Sequence, residues 1–538
     1  MKKSGKNGTG VYFLGLDSST QAIKAALIDS NLNVVHEQAV NFDKELPEFK
    51  TQGGAHLHSD GLTVTSPPLM WVAALECLLQ KMQDDKCPLD RIAAVSGSGQ
   101  QHGSVWLRKG ARLTLNGLVA EKSLRDQLTD VFSVADSPIW MDSSTGEQCR
   151  ALEKALGGAQ AVANLTGSRA YERFTGNQIA KIYQNRPSEY AATERICLVS
   201  SFLASLLIGD YAPIDTSDGS GMNLMDIRKK KWASAALKQT APALEAKLGE
   251  IVPGHTVVGK MHAFYRRKFG FNPDCIVIAC SGDNPCSLAG MRLQRTGDIA
   301  ISLGTSDTLF GSLAKPKPSA SEGHIFANPV EPKAYMAMVV RKNGSLTRER
   351  VRDEAAGKSW DKFAKILLDT PPGNNGLIGF YVDQPEITPP IMKTGVYRFD
   401  AKGKKLGKFP VGADVRAVVE SQFLSLRLHG DNIGLKPSAI LATGGASANE
   451  GILKVIADVF GAPVCVGEQP NSGAIGAAYR AMHGWECRKA EKFIPFADVL
   501  ADAPPFRKAM EPDRAAHAVY TKMLKQYEKL EKKVVAEN

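Results

Sequence analysis

A chain of 538 residues accommodates two or more domains of ordinary size. Its 43% apolar and 23% charged residues are usual for a soluble enzyme, and no run nears the ~20 apolar residues of a bilayer span, which excludes a helical membrane protein and a disordered chain. Lys and Arg number 66 against 56 Asp and Glu, but the resulting +10 is dispersed, so no nucleic-acid and no membrane partner is expected and the charge serves at most to attract anionic small substrates.

Residues 1–10 are basic and lack an apolar core, and are expected to form a disordered lead rather than a secretory signal. Residues 11–16 predict a strand running into the polar turn Asp17-Ser18-Ser19-Thr20. A hairpin is expected next, from 23–28 and 34–40 around Asp29-Ser30-Asn31. Residues 92–99 predict a short strand that ends in small residues ahead of Gln100-Gln101-His102-Gly103. That stretch resembles a dinucleotide fingerprint but lacks the third glycine at its place and does not open the fold. Residues 276–280 predict a buried strand leading to Ser281-Gly282-Asp283-Asn284-Pro285. Pro285 suits the first position of a helix over 286–293, so Asp283 falls at the carboxyl end of a strand, where α/β sheets place ligands. A carboxylate there can act as a general base; a turn or helix-capping aspartate is the other reading of these residues alone.

The second half repeats the opening phrase. Residues 298–303 predict a strand running into Gly304-Thr305-Ser306-Asp307-Thr308, followed by a strand over 309–313. Residues 439–442 end in Thr443-Gly444-Gly445-Ala446-Ser447, as 92–99 end in small residues, and open a helix over 449–460 that Gly461 and Pro463 stop. The repetition implies a duplicated α/β chain with a cleft between two similar domains, 11–295 and 296–490, and a C-terminal extension over 491–538. Loop-like inserts are expected at 371–376 and 400–411. In the tail, Ala516, Val519, Met523, Tyr527, Leu530 and Val534 recur at helical spacing and predict a surface helix packed on its own domain. The nine cysteines are odd in number, scattered and never spaced C-x-x-C, which argues against disulfides and zinc and for a reducing, cytoplasmic setting.

Three small-residue turns at equivalent strand ends suit a nucleotide triphosphate. Small residues let backbone N–H groups approach phosphate oxygens, Asp17 offers a carboxylate for Mg²⁺, and a helix N-terminus stands behind Gly444 and Gly445. There is no G-x-x-x-x-G-K-[ST] P-loop and no protein-kinase H-R-D or D-F-G set.

Gly15-Leu16-Asp17-Ser18-Ser19-Thr20, Ser302-Leu303-Gly304-Thr305-Ser306 and Ala442-Thr443-Gly444-Gly445-Ala446-Ser447 together resemble the FGGY carbohydrate kinases over about residues 11–490. The resemblance implies the actin- and hexokinase-like ATPase fold, two ribonuclease-H-like domains around a central cleft. Gly97 to Ser104, Pro138 to Thr145, Thr166 to Gly176 and Ser281 to Pro285 look closest to the eukaryotic-type D-xylulose kinase branch. It implies transfer of the ATP γ-phosphoryl group to O5 of D-xylulose, giving D-xylulose 5-phosphate and ADP for the pentose phosphate pathway. Another ketose or a polyol such as glycerol is the alternative substrate, and a non-catalytic sugar- or nucleotide-binding regulator the alternative function. Asp283 matches the catalytic base, and His102, Arg173, Asp283 and Asn284 match sugar contacts, with His102 expected to donate to a hydroxyl. Asp17 and Thr20 match the metal and phosphate turn, Thr305 the second phosphate turn, and Gly444, Gly445 and Asn449 the adenosine region. Trp360, among insertions, matches a nucleotide contact. The chain departs from the wider family in Ser19, where Gly is usual, and in Gln101, where bacterial members have Met. A monomer or a homodimer is expected.

Overall fold

The computed structural model describes residues 10–410, 412–467 and 471–537, so the lead expected over 1–10 lies, but for Gly10, outside the described residues. The chain divides into two compact units. One comprises residues up to 294 with 326–335 and 470–503; the other comprises 295–325, 336–469 and 504–538.

The first unit is built on strands β1 (Tyr12–Ser18), β2 (Ala22–Asp29), β3 (Val34–Asn41), β4 (Ile92–Gly99), β5 (Val257–Lys260), β6 (Ile276–Ile278) and β7 (Ser281–Gly282), in the order β5-β6-β4-β1-β2-β3 with β7 also on β4. The expected hairpin forms β2 and β3, antiparallel to each other, and β2 pairs antiparallel with β1. β4 runs parallel to β1, and β6 and β7 run parallel to β4. Nearly all of β1 and β4 is buried, as apolar and small residues on both faces require of a central parallel strand. Ser18 lies opposite Gly99, and Gly99 opposite Gly282, so the carboxyl ends of β1, β4 and β7 stand side by side. The polar turns that follow them are thereby brought together.

Helix Ser472–Lys489 lies across β1 and against helix Asp283–Gly290. The approach is close enough to demand glycine at the contacts. A Cβ on Gly15 would come within 1.9 Å of the Ala474 carbonyl oxygen, and one on Gly476 within 1.8 Å of the Cys286 carbonyl oxygen. This seam attaches 470–503 to the first unit. The helix expected to begin at Pro285 begins at Asp283, capped by Gly282. Pro285 is accommodated because first-turn N–H groups have no intrahelical partner.

A second sheet repeats the arrangement with β8 (Asp298–Leu303), β9 (Asp307–Leu313), β10 (His324–Ala327), β11 (Tyr335–Arg341), β12 (Ala439–Thr443), β13 (Val464–Val466) and β14 (Arg507–Met510), ordered β10-β11-β9-β8-β12-β13-β14. β8 and β9 are antiparallel, β12 is parallel to β8 and β13 to β12, and β14 closes the edge antiparallel. β1, β2, β4 and β6 thus correspond to β8, β9, β12 and β13, the duplication seen in the sequence. The edge strands differ in chain order, since β5 precedes β6 whereas β14 follows β13.

The helix expected over 449–460 spans Glu450–Phe460, with Asn449 as its N-cap and Gly461 closing it at φ 68°. The C-terminal helix spans Arg514–Ala536 and buries Ala516, Tyr520, Met523, Tyr527, Leu530 and Val534. Val519, assigned to that face from sequence, is 41% exposed. Steps of four and three from 516 reach 520 and 523, so the stripe takes Tyr520. The 400–411 stretch, read as loop, includes strand Lys405–Leu406, which extends the hairpin of Ile378–Val382 and Gly395–Phe399; Val411 lies outside the described residues. All nine cysteines are free, and among the described residues no helix is long and apolar enough to cross a membrane.

Candidate active site

In the first unit, Asp17, Gln101, His102, Asp283 and Asn284 follow the three adjoining strand ends. Asp283 opens its helix with three hydrogen bonds on Oδ1. Its own neighbour's backbone N–H donates at 2.8 Å, the Asn284 side-chain amide at 3.1 Å and the Gln101 backbone N–H at 3.4 Å. Oδ2 takes no part in these bonds. Burial, then the neighbouring Asp17 carboxylate, push the Asp283 pKa up to about 7 against the weaker pull of those N–H groups. Asn284 also donates to Gln101 Oε1 at 2.9 Å, so its NH₂ group is engaged in orienting the base.

Asp17 is buried at the end of β1. Its Oδ2 accepts the Ser19 hydroxyl at 2.7 Å, while Oδ1 is buried without a hydrogen-bond partner. The serine that replaces the family's usual glycine therefore fixes one carboxylate oxygen. The orphaned second oxygen is what a hard divalent cation would satisfy.

His102 sits in the left-handed region at φ 70°. Its ring stacks on Phe174, centroids 4.3 Å apart and planes at 19°. Burial and then the Arg173 charge lower its pKa to about 3, so the ring is neutral. Nδ1 lies 2.8 Å from the Gly221 carbonyl oxygen and must carry the proton there. Nε2 is then an acceptor, which corrects the expectation that His102 donates to a hydroxyl. Arg173 stands over the rings of Tyr171 at 5.0 Å and Phe174 at 5.6 Å, and burial lowers its pKa. Phe174 thus joins the His102 and Arg173 side chains into one aromatic-backed cluster.

Sequence reasoning gave no site role to Gln101 or Trp140. Trp140 Nε1 donates to Thr20 Oγ1 at 2.9 Å, and its ring is 44% exposed beside the Asp17–Thr20 turn. An exposed tryptophan was the available signal, and exposure is invisible in a single sequence.

In the second unit, Gly304, Arg348, Trp360, Gly445, Asn449 and Ile452 are among the residues lining a cavity of about 510 Å³. Thr305 and Gly444 lie in its bordering turns. The turn after β8 is held by the Ser345 N–H on the Gly304 carbonyl at 2.9 Å and the Gly344 N–H on the Thr305 carbonyl at 3.2 Å. Behind it, Arg348 grips Asp307 in a fully buried two-pronged pair and also donates to Gln422. Gly444, at φ 85°, passes so near β8 that a Cβ would lie 2.5 Å from the Leu303 carbonyl oxygen. Trp360 opens helix Trp360–Asp369, one ring face covered by the Arg352 guanidinium at 4.6 Å. Asn449 Oδ1 is engaged in capping, accepting the Ile452 N–H at 3.1 Å, so a ligand contact falls to its NH₂ group.

Comparison with known proteins fits both halves. The N-terminal domain of the FGGY family of carbohydrate kinases matches residues 132–290 and the C-terminal domain matches 299–485. The xylulose kinase of Mus musculus is 53% identical over 526 residues, spanning 97% of this chain and 94% of that protein. Xylulose kinase 2 of Arabidopsis thaliana is 49% identical over 501 residues, 90% of this chain and 89% of its own. Among solved structures, the ligand-bound xylulose kinase from Lactobacillus acidophilus aligns with a TM-score of 0.78 at 20% identity, over 98% of each chain. Plasmodium falciparum glycerol kinase with ADP aligns at 0.75 and 15% identity, over 97% of this chain and 98% of its own. At such identities the solved structures speak for the fold, and the curated relatives for the lineage: a duplicated α/β chain with these strand-end turns belongs to the FGGY family of carbohydrate kinases.

Proposed function

We infer that the chain is an ATP-dependent sugar kinase that phosphorylates D-xylulose at O5, releasing D-xylulose 5-phosphate and ADP in the cytoplasm. The observation that carries this reading is Asp283, a carboxylate of raised basicity that follows a strand end, lies beside Asp17 and is held by the backbone of Gln101, the neighbour of His102. Near-full-length relatives named xylulose kinases at 49–53% identity support the choice of sugar. The free cysteines support the compartment.

Phosphoryl transfer depends mainly on alignment and charge neutralisation. Asp283 accepts the proton of the attacking hydroxyl through Oδ2, while Asn284 and Gln101 hold Oδ1. His102 Nε2 accepts a hydrogen bond from a sugar hydroxyl, and Arg173 donates to others. A polar pocket of this kind discriminates because a wrong sugar leaves buried partners unpaired. ATP supplies the phosphoryl group, its adenosine moiety against Trp360, Gly445 and Asn449 and its phosphates against Gly304 and Thr305. Asp17 Oδ1 fits a Mg²⁺ ion, which would supply charge neutralisation for phosphate oxygens.

A panel of D-xylulose, D-ribulose, other ketoses and glycerol in a coupled ADP-release assay tests the reading. D-xylulose should give the highest kcat/KM, and Asp283→Ala should cut kcat by about 10²–10⁴-fold, the usual worth of a general base. Preference for another substrate would reassign the sugar. Turnover of none, with ligand binding retained, would make the chain a binding protein.

A further inference from the structure

Behind the base lies a second carboxylate that the mechanism above leaves idle. Asp218 belongs to the short helix Thr216–Gly219, is 1% exposed, and accepts the Ser200 hydroxyl on Oδ2 at 2.5 Å. Its Oδ1 is buried without a hydrogen-bond partner. That oxygen abuts the backbone of Gly282, the residue immediately before Asp283. A Cβ on Gly282 would fall 2.7 Å from Asp218 Oδ1 and 2.4 Å from Gln101 Cγ, so these two side chains pack so closely on one face of Gly282 that only glycine fits there. The buried Gln101 side chain favours the charged form of Asp218, against the larger opposing effect of burial.

The next residue upstream is held from the same helix. Asp215 Oδ1 accepts the Ser281 hydroxyl at 2.5 Å and the backbone N–H groups of Ser217 and Asp218. Its Oδ2 is paired with Arg480 at 3.2 Å. Arg480 thus compensates Asp215, and Asp218 is left with the Ser200 hydroxyl and no cation. Burying a carboxyl in this way is costly, and an asparagine would fill the same space. The three residues Ser281, Gly282 and Asp283 are therefore set by Asp215, Asp218 and Gln101 in turn.

We propose that Asp218 is a positioning residue for the phosphoryl-transfer step: by packing together with Gln101 on Gly282 it fixes the direction in which Asp283 presents its carboxylate to the attacking hydroxyl. The proposal rests on the assignment of Asp283 as the base. A base displaced by about 1 Å costs on the order of 10²-fold in rate without loss of substrate contacts made elsewhere.

The test measures kcat and KM for D-xylulose and for ATP in Asp218→Ala, Asp218→Asn and Ser200→Ala, with thermal melts as a folding control. Asp218→Ala should lower kcat about 10–100-fold with both KM values within about threefold of wild type. Asp218→Asn, keeping shape and an acceptor for Ser200, should restore kcat to within about fivefold. Ser200→Ala, which frees the Asp218 carboxylate without removing it, should lower kcat less than Asp218→Ala and again leave KM unchanged. If Asp218→Ala does not fold, Asp218→Asn and Ser200→Ala decide. Wild-type kcat in Ser200→Ala, or kcat and KM shifting together in step with the melting temperature, would overturn the proposal. Wild-type turnover of D-xylulose and its loss in Asp283→Ala, run alongside, separate failure of this inference from failure of the assignment beneath it.

Discussion

At the scale of single residues, protonation states decide what the first half-site can do. An aspartate titrates near 4 in water, and burial beside Asp17 moves Asp283 up to about 7. The base works only when unprotonated, so kcat/KM for D-xylulose should fall tenfold per unit as the pH drops below about 7. A profile flat between pH 5 and 7 would refute the assignment. His102 is moved the other way, to about 3, and its imidazole carbon and proton resonances should not titrate between pH 5 and 8. Its folded pKa lies below the unfolded value near 6.5, so its contribution to stability is complete above 6.5 and is lost as the pH falls toward 3. Asp283 was legible in sequence because an apolar run, a glycine and a proline bracket it. The acceptor role of His102 was not, because the carbonyl that sets its tautomer belongs to Gly221, 119 residues away.

At the scale of elements, the C-terminal helix shows how a surface element is tied down. His429, on helix Ala413–Ile433, lies between Glu322 at 2.5 Å from Nδ1 and Glu531 of the C-terminal helix at 3.2 Å from Nε2. Burial alone would lower its pKa, but the two carboxylates overcome that and raise it to about 9. The folded pKa lies above the unfolded one, so this stabilisation is complete below about 6.5 and is lost as the pH rises through about 9. Amide exchange of residues 514–536 should accelerate above pH 9 before the rest of the second unit does. His429→Gln, which leaves two buried carboxylates without a cation, should cost on the order of 3 kcal/mol in a denaturant titration. Equal protection factors at pH 7 and 9.5, after correction for the intrinsic pH dependence of amide exchange, would sink the idea. The helix itself was legible from its apolar spacing. The cluster was not, since Glu322, His429 and Glu531 are about a hundred residues apart.

At the scale of the whole molecule, the duplication was readable because strand-to-turn phrases survive divergence better than loops do. The repeated sheet order and the parallel pairing of β1 with β4 and of β8 with β12 follow from it. The attachment of 470–503 to the first unit was not readable, because it depends on glycines far apart in the chain meeting backbone to backbone. Hydrogen exchange offers a test on the intact protein. D-xylulose should protect amides in 100–103, 171–175 and 281–284, and a non-hydrolysable ATP analogue those in 303–306 and 444–449. Protection of other segments, with none at these, would relocate the binding residues.

The glycine seam around helix Ser472–Lys489 has a consequence for biosynthesis. Gly15 and Cys286 both wait for that helix, so the strand carrying Asp17 and the helix carrying Asp283 remain unsupported on one side until about nine-tenths of the polypeptide has left the ribosome. The residues that recognise sugar are translated early and assembled late. A nascent chain interrupted between residues 285 and 471 carries every residue of the sugar half-site but lacks the helix that supports it.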